Sequence, residues 1–283
     1  MMTRFYILTT FIMWVILLLF FSVKPTFAAC PVNMVKAGPV CVDKYEASVW
    51  SQPPTKRGVP RGTEYGVSGA DYPCSPNGND CSSTHKIYAV SAPGVLPSGF
   101  ITWFQAQQAC ANVGKRLLTN AEWQLAVAGT PDDYSCNISS GLVGVVSVPT
   151  GSLPKCVSNW GVFDMVGNVV EWVADWWQLP TGTGDLLTGQ RLPALYGTDS
   201  IYGANGALTN GSPPIPGTTG DIIDKFPAAI QRGGSSFGSE EDGVFMFIGS
   251  ISPRLCRSPL SKKQLCFNGQ GILRCRRVSD EDA

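Results

Sequence analysis

The chain has 283 residues, of which 44% are hydrophobic and 15% are charged, and its 21 basic side chains equal its 21 acidic ones. The length suits one large domain or two small ones, and the composition is that of a packed globular protein. The balanced charge excludes binding to nucleic acid or anionic lipid driven by net charge. The 31 glycines and 21 prolines predict a backbone rich in turns and loops.

The N-terminus has the pattern of an export signal. Residues 1–29 combine a positive start at Arg4, an apolar run over residues 5–23, and small residues that allow cleavage after Ala28. The run is long enough to cross a bilayer, so an uncleaved anchor is an alternative and would be the only membrane contact. Ala28 and Ala29 before Cys30 weakly resemble a lipoprotein box, which is a further alternative. We expect an exported bacterial protein in the periplasm, at the cell surface or in the medium.

One domain is expected over residues 30–278, with no internal repeat. Its first part predicts a loop between Cys30 and Cys41, a strand over residues 42–49, and a polar stretch over residues 51–82.

Two helices are predicted next. The first covers residues 102–112, with Phe104, Ala109 and Cys110 facing inward. The second covers residues 119–129 and starts with a capping box at residues 119–122. We expect Trp123, Ala126 and Val127 to form its buried face.

The remainder of the chain predicts short strands and long turns. Residues 178–228 are rich in Gly, Pro, Thr and Ser, which indicates either a functional surface loop or a plain insertion. Residues 279–283 form an acidic tail that is expected to fray.

Five segments in a fixed order carry a family resemblance. They are residues 43–46 (Asp-Lys-Tyr-Glu), 114–123 (Gly-Lys-Arg-Leu-Leu-Thr-Asn-Ala-Glu-Trp), 161–172 (Gly-Val-Phe-Asp-Met-Val-Gly-Asn-Val-Val-Glu-Trp), 232–235 (Arg-Gly-Gly-Ser) and 273–275 (Leu-Arg-Cys). Together they resemble the domain of formylglycine-generating enzymes, or sulfatase-modifying factors, over about residues 32–277. The resemblance implies an α+β fold, a loop-rich and disulfide-stapled variant of the C-type-lectin fold.

Ten cysteines in an exported chain predict disulfides. Proximity along the chain favours the pairs Cys30–Cys41, Cys74–Cys81, Cys136–Cys156 and Cys256–Cys266. The remaining pair, Cys110–Cys275, would tie the first helix to the last strand and is also the pair that the resemblance implies. The sequence alone leaves the connectivity open.

The resemblance implies one structural calcium ion. Its ligands would be the side chains of Asp164 and Glu171 and the carbonyl oxygens of Gly167 and Val169, and Ca²⁺ prefers such hard oxygen ligands. The alternative interpretation of this segment is a turn with a buried glutamate.

The family's copper centre has no counterpart in this sequence. In the family, two cysteines follow the serine of the Arg-Gly-Gly-Ser segment by three and eight residues, and here those positions hold Gly238 and Gly243. Because Cu(I) needs soft thiolate ligands, no copper is expected and no catalytic residue is assigned. The single histidine, His85, likewise excludes the histidine cluster of the family's iron-dependent relatives.

The leading interpretation is therefore a non-catalytic, ligand-binding or structural protein whose partner is a protein, peptide or glycan. The predicted contact loop contains Ser236, Phe237, Ser239, Glu240, Glu241 and Asp242. Trp172, Trp176 and Trp177 suit either stacking on a sugar or peptide or packing in the core. The alternatives are an oxidase acting on a protein cysteine and a ligand-display protein diversified by a reverse-transcriptase element.

Overall fold

Short strands joined by turns make up most of the regular structure in this computed structural model. It describes residues 29–138, 146–178, 190–191, 200–202, 227–236, 244, 247–250 and 272–277. The strands are β1 (Met34–Ala37), β2 (Val40–Asp43), β3 (Ala47–Gln52), β4 (Arg61–Tyr65), β5 (Tyr88–Ser91), β6 (Lys115–Leu117), β7 (Glu171–Gln178), β8 (Gln190–Arg191), β9 (Ser200–Tyr202), β10 (Pro227–Arg232), β11 (Phe247–Ser250), β12 (Ile272–Leu273) and β13 (Cys275–Arg277). The helices among these residues are α1 (Trp103–Ala111) and α2 (Asn120–Ala126). The α+β class is confirmed.

These strands form three sheets. Their orders are β1-β2-β13-β6, then β12-β7-β10-β11-β9-β8, and finally β4-β3-β5. The pairs β11–β9 and β12–β7 are parallel. Strand β13 pairs with both β2 and β6, so the last described strand completes the sheet that the first strands begin.

Strand β7 lies between two hydrophobic clusters. Successive side chains of a strand point to opposite faces. Trp172 accordingly packs in one cluster with Cys110 and Cys275, whereas Val173 packs in the other with Trp123. The polar residues that precede β7 are thereby carried into the interior.

Both helices begin as the sequence predicts. Thr102 caps α1 and Thr119 caps α2, and each forms a capping box with the glutamine or glutamate three residues later. The inward positions predicted for the two helices are buried except for one, and the buried ones are Ala109, Cys110, Trp123, Ala126 and Val127.

The exception is Phe104, which is 45% exposed, so its predicted inward position is wrong. It lies two residues from the buried Ala106, and residues so spaced point to nearly opposite sides of a helix.

The strand predicted over residues 42–49 is also wrong as a single element. The chain leaves the four-stranded sheet after Asp43 and enters the three-stranded sheet at Ala47. In the connection the Lys44 amide donates to the Asn33 carbonyl and the Tyr45 amide donates to the Ser91 hydroxyl. This bend directs Glu46, which is 1% exposed, into the interior.

From Pro31 onward the chain forms one compact unit. The expected export signal and acidic tail, and most of the segment over residues 178–228, lie outside the described residues. Within the described ranges, no helix has the length and apolar character that crossing a bilayer requires.

Candidate functional site

The segment from Asp164 to Glu171 folds into tight turns with left-handed backbone. The φ angles are 56° at Asp164, 72° at Gly167 and 59° at Asn168. Aspartate and asparagine tolerate this region better than most residues. A Cβ atom on Gly167 would lie 2.4 Å from the Asn137 carbonyl oxygen, so only glycine fits there. The turns place the side chains of Asp164, Asn168 and Glu171 in the interior, each 2% exposed or less.

Glu171 is held by a buried arginine and a tryptophan. Arg274 donates from Nε and Nη2 to Glu171 Oε1 at 2.9 and 2.7 Å. The Trp123 indole donates to Glu171 Oε2 at 2.5 Å. Arg274 is completely buried and also donates to the carbonyls of Asp43 and Phe163. Burial by itself lowers the pKa of Arg274, but the carboxylates of Glu171, Glu46 and Asp164 together outweigh it and the net shift is upward.

Glu46 lies beside this ion pair. Asn168 Nδ2 donates to Glu46 Oε2, while Glu46 Oε1 is buried without a hydrogen-bond partner among the described residues. Burial raises the pKa of Glu46 well above its ordinary value, and the charges of Asp164 and Glu171 raise it further. The side chain is therefore expected to retain its proton to higher pH than an exposed glutamate.

The carboxylate of Asp164 is held by hydrogen bonds from a neighbouring loop. Its Oδ2 accepts from the Thr150 hydroxyl at 2.9 Å and from the Gly151 amide at 2.6 Å. Burial raises its pKa, although these two hydrogen bonds oppose that shift. Glu46, Asp164, Asn168, Glu171 and Arg274 are called the buried polar cluster below.

Arg232, from the Arg-Gly-Gly-Ser segment, is likewise buried and structural. It lies over the Trp123 ring, with its guanidinium carbon 4.4 Å from the ring centre. It donates to the side chains of Asn120 and Gln124 on α2 and to the Val244 carbonyl. The segment thus fixes β10 against α2.

A family model described as "Sulfatase-modifying factor enzyme 1-like domain" matches residues 35–239, which is more than half of the chain. The chain belongs to this family. Its α+β, loop-rich and disulfide-bonded architecture is the one expected for a sulfatase-modifying-factor domain.

Curated relatives match over shorter segments. The formylglycine-generating enzyme of Thermomonospora curvata is 31% identical over 102 residues, covering 29% of this chain and 34% of that protein. The serine/threonine-protein kinase pkn1 of Chlamydia caviae is 38% identical over 82 residues, covering 27% and 13%. The aligned segments thus span about a third or less of these relatives. Among solved structures, the Major Tropism Determinant P3c variant is 17% identical with a TM-score of 0.44, covering 87% of this chain and 52% of that one.

The calcium ion that the resemblance implies would have to share Glu171 with the guanidinium of Arg274, and its presence stays a prediction. Both oxygens of Glu171 already accept hydrogen bonds, and the guanidinium of Arg274 lies where a cation would approach Oε1. Two positive charges cannot share that position without strong repulsion. The described residues also contain no group of three His, Cys, Asp or Glu side chains arranged to hold a metal. The other ligands of the predicted set are the Asp164 side chain and the carbonyls of Gly167 and Val169.

Only the start of the predicted contact loop lies within the described part of the chain. Ser236 is completely buried, and its amide donates to the Asn168 carbonyl at 3.0 Å. That hydrogen bond holds Ser236 in the interior beside Asn168, and its role as a ligand contact stays a prediction. The other positions of that prediction lie outside the described residues; they are Phe237, Gly238, Ser239, Glu240, Glu241, Asp242 and Gly243.

Three of the predicted disulfides are present. They are Cys74–Cys81, Cys110–Cys275 and Cys136–Cys156. Cys30 and Cys41 are each disulfide-bonded, and Cys256 and Cys266 lie outside the described residues.

The sequence reasoning missed the partner of Glu171. Arg274 stands in the Leu-Arg-Cys segment, and its position directly before a buried, disulfide-bonded cysteine was the available signal. A buried arginine requires a carboxylate partner, and Glu171 was the candidate in another motif.

Proposed function

We propose that this protein is a non-catalytic member of the sulfatase-modifying-factor family that serves as an exported binding scaffold. The observation that carries the proposal is the location of the motif side chains. Glu46, Asp164, Glu171, Arg232 and Arg274 are all buried and bonded within the protein. Side chains in this position stabilise a fold and do not contact a substrate.

The sequence supports the same proposal. Glycine occupies positions 238 and 243, where the family resemblance places copper-binding cysteines. Without thiolates at those positions, the chain has no soft ligand pair there for Cu(I). The disulfide-bonded cysteines among the described residues suit an oxidising compartment outside the cytoplasm.

An oxidase assay tests the proposal directly. The purified chain is titrated with Cu(I), and oxygen consumption is followed with a cysteine-containing peptide, using the formylglycine-generating enzyme of Thermomonospora curvata as positive control. We expect no copper-dependent turnover, whether the copper is added as Cu(I) or after a cycle of reduction and reoxidation. Oxygen consumption that depends on both copper and peptide cysteine would overturn the proposal in favour of an oxidase.

A further inference from the structure

Three aromatic side chains form a connected cluster at the surface. The ring centroids are 5.4 Å apart for Trp103–Phe104, 5.2 Å for Trp103–Trp176 and 5.9 Å for Phe104–Trp176. Phe104 is 45% exposed and Trp176 is 41% exposed. Trp103 and Phe104 come from the first turn of α1, and Trp176 comes from β7, so two separate elements present one aromatic surface.

The cluster is rigidly held. The Trp103 indole donates to the Val173 carbonyl at 2.8 Å, which fixes the ring that both other rings contact. Edge-to-face packing of Phe104 and Trp176 on Trp103 is a favourable geometry for aromatic pairs. A ligand that binds here would not have to order these side chains, so little of its binding energy would be lost to entropy.

A turn with two exposed amide side chains borders the cluster. A Cβ atom on Gly78 would lie 3.1 Å from Phe104 Cβ, so the turn is in direct contact with Phe104. Asn77 and Asn79, on either side of Gly78, are exposed. The Cys74–Cys81 disulfide closes this turn, and Thr102 of the α1 cap donates to the Pro76 carbonyl at 2.6 Å.

The size of the exposed surface favours a small ligand. An aromatic side chain has an area of roughly 150–250 Å², so the exposed fractions of Phe104 and Trp176 give on the order of 200 Å². A stable protein interface needs about 800 Å² from each partner. The cluster is therefore too small for a second copy of the chain and is comparable to one or two sugar rings.

We propose that Trp103, Phe104 and Trp176, with the turn around Gly78, bind a pyranose ring of a glycan. The apolar C–H face of the sugar would stack on the exposed rings, and its hydroxyls would hydrogen-bond the exposed amides of Asn77 and Asn79. Apolar surface with a few placed polar groups is the usual composition of small-ligand sites. The proposal rests on the binding role proposed above and gives that role a ligand class.

The test is a glycan array that spans β-linked oligosaccharides of glucose, N-acetylglucosamine, galactose and mannose, probed with the full chain. The array hits, and cellohexaose and chitohexaose in any case, are then titrated by calorimetry and tryptophan fluorescence. We expect saturable binding to at least one oligosaccharide. Trp176→Ala and Phe104→Ala should each weaken that binding by roughly tenfold or more, because each removes a stacking surface.

Tyr134→Ala is the matched control, since Tyr134 is a 50% exposed aromatic side chain that makes no ring contact with the cluster. Near-ultraviolet circular dichroism and thermal unfolding establish that each variant is folded. The proposal is overturned by the absence of saturable binding to every oligosaccharide, by equal losses in Tyr134→Ala and Trp176→Ala, or by self-association that Trp176→Ala abolishes. The oxidase assay is an independent test. If the chain binds no glycan and also shows no copper-dependent turnover, the proposed glycan site is wrong, whereas the proposed non-catalytic role is retained.

Discussion

Arg274 brings a positive charge into the interior, and within the described part of the chain its guanidinium donates to protein oxygens. It pairs with Glu171 and donates to the carbonyls of Asp43 and Phe163. A buried ion pair stabilises a fold little compared with a well-packed apolar pair, but removing one member leaves the other charge uncompensated. Removing Arg274 is therefore expected to destabilise the protein by more than its ion pair stabilises it relative to an apolar pair.

We predict that Arg274→Gln lowers the free energy of unfolding by about 3–5 kcal/mol, because Glu171 would remain buried without its counter-charge. Urea denaturation followed by fluorescence measures the change. Arg277→Gln is the control, since Arg277 is exposed at the end of β13, the strand that follows Arg274; this change should alter stability by less than about 0.5 kcal/mol. Equal effects of the two substitutions would contradict the role given to the ion pair.

Glu46 leads to a prediction about pH. Its folded pKa is raised, first by burial and then by Asp164 and Glu171, whereas an unfolded glutamate titrates near about 4.3. Between these two values the folded chain holds a proton that the unfolded chain has released, so stability falls as pH rises through that window.

Glu46→Gln removes this titration, and the glutamine oxygen can still accept from Asn168. We therefore expect the decline in stability above about pH 4 to become shallower in the variant, with Asp164, whose pKa is also raised, leaving a residual slope. The urea concentration at the unfolding midpoint, measured at intervals of one pH unit for the wild type and the variant, tests this expectation. An unchanged pH profile would mean that Glu46 ionises as readily in the folded chain as in the unfolded one.

At the level of elements, the Cys110–Cys275 disulfide connects α1 to β13. Its two cysteines are 165 residues apart, whereas Cys74 and Cys81 are 7 apart. If a disulfide acts mainly by restricting the unfolded chain, the longer loop should contribute about 5 kcal/mol and the shorter one about 2 kcal/mol.

We predict that replacing both Cys110 and Cys275 with alanine destabilises the protein more than replacing both Cys74 and Cys81. Chemical denaturation of the two double variants gives the comparison, and free-thiol titration verifies that the other bridges remain intact. The reverse order would show that local strain or packing outweighs chain entropy in this fold.

Sequence patterns predicted the elements with strong local signals and missed those that depend on tertiary contacts. The capping box at residues 119–122 was predicted because a threonine followed by glutamate three residues later is a local pattern, and the structure adds a second box at Thr102 and Gln105. Phe104 looked like a core residue because it is aromatic, and only the packing of α1 reveals that it faces outward. The break at residues 44–46 was equally hidden, because the backbone bonds to Asn33 and Ser91 are not visible in the pattern.

For the molecule as a whole, the family motifs meet in one interior. Segments that are far apart in sequence supply Glu46, Asp164, Glu171 and Arg274, and the final described strand closes the first sheet. The sequence identified the segments but not their mutual contacts, since pairing of Glu171 with Arg274 spans 103 positions. The fold was therefore predictable from the family resemblance, whereas the candidate site had to be read from the geometry.

The same interior leads to a prediction about calcium for the whole protein. Because Arg274 already neutralises Glu171, we expect the melting temperature to be the same within about 1 °C in excess EDTA and in excess CaCl₂. A site filled at 100 times its Kd would add about 2.7 kcal/mol, which for a domain of this size corresponds to a rise of roughly 5–10 °C. Differential scanning calorimetry separates these outcomes. A calcium-dependent rise of that size in the wild type, lost in Asp164→Ala, would restore the family's metal site and require Arg274 to move away from Glu171.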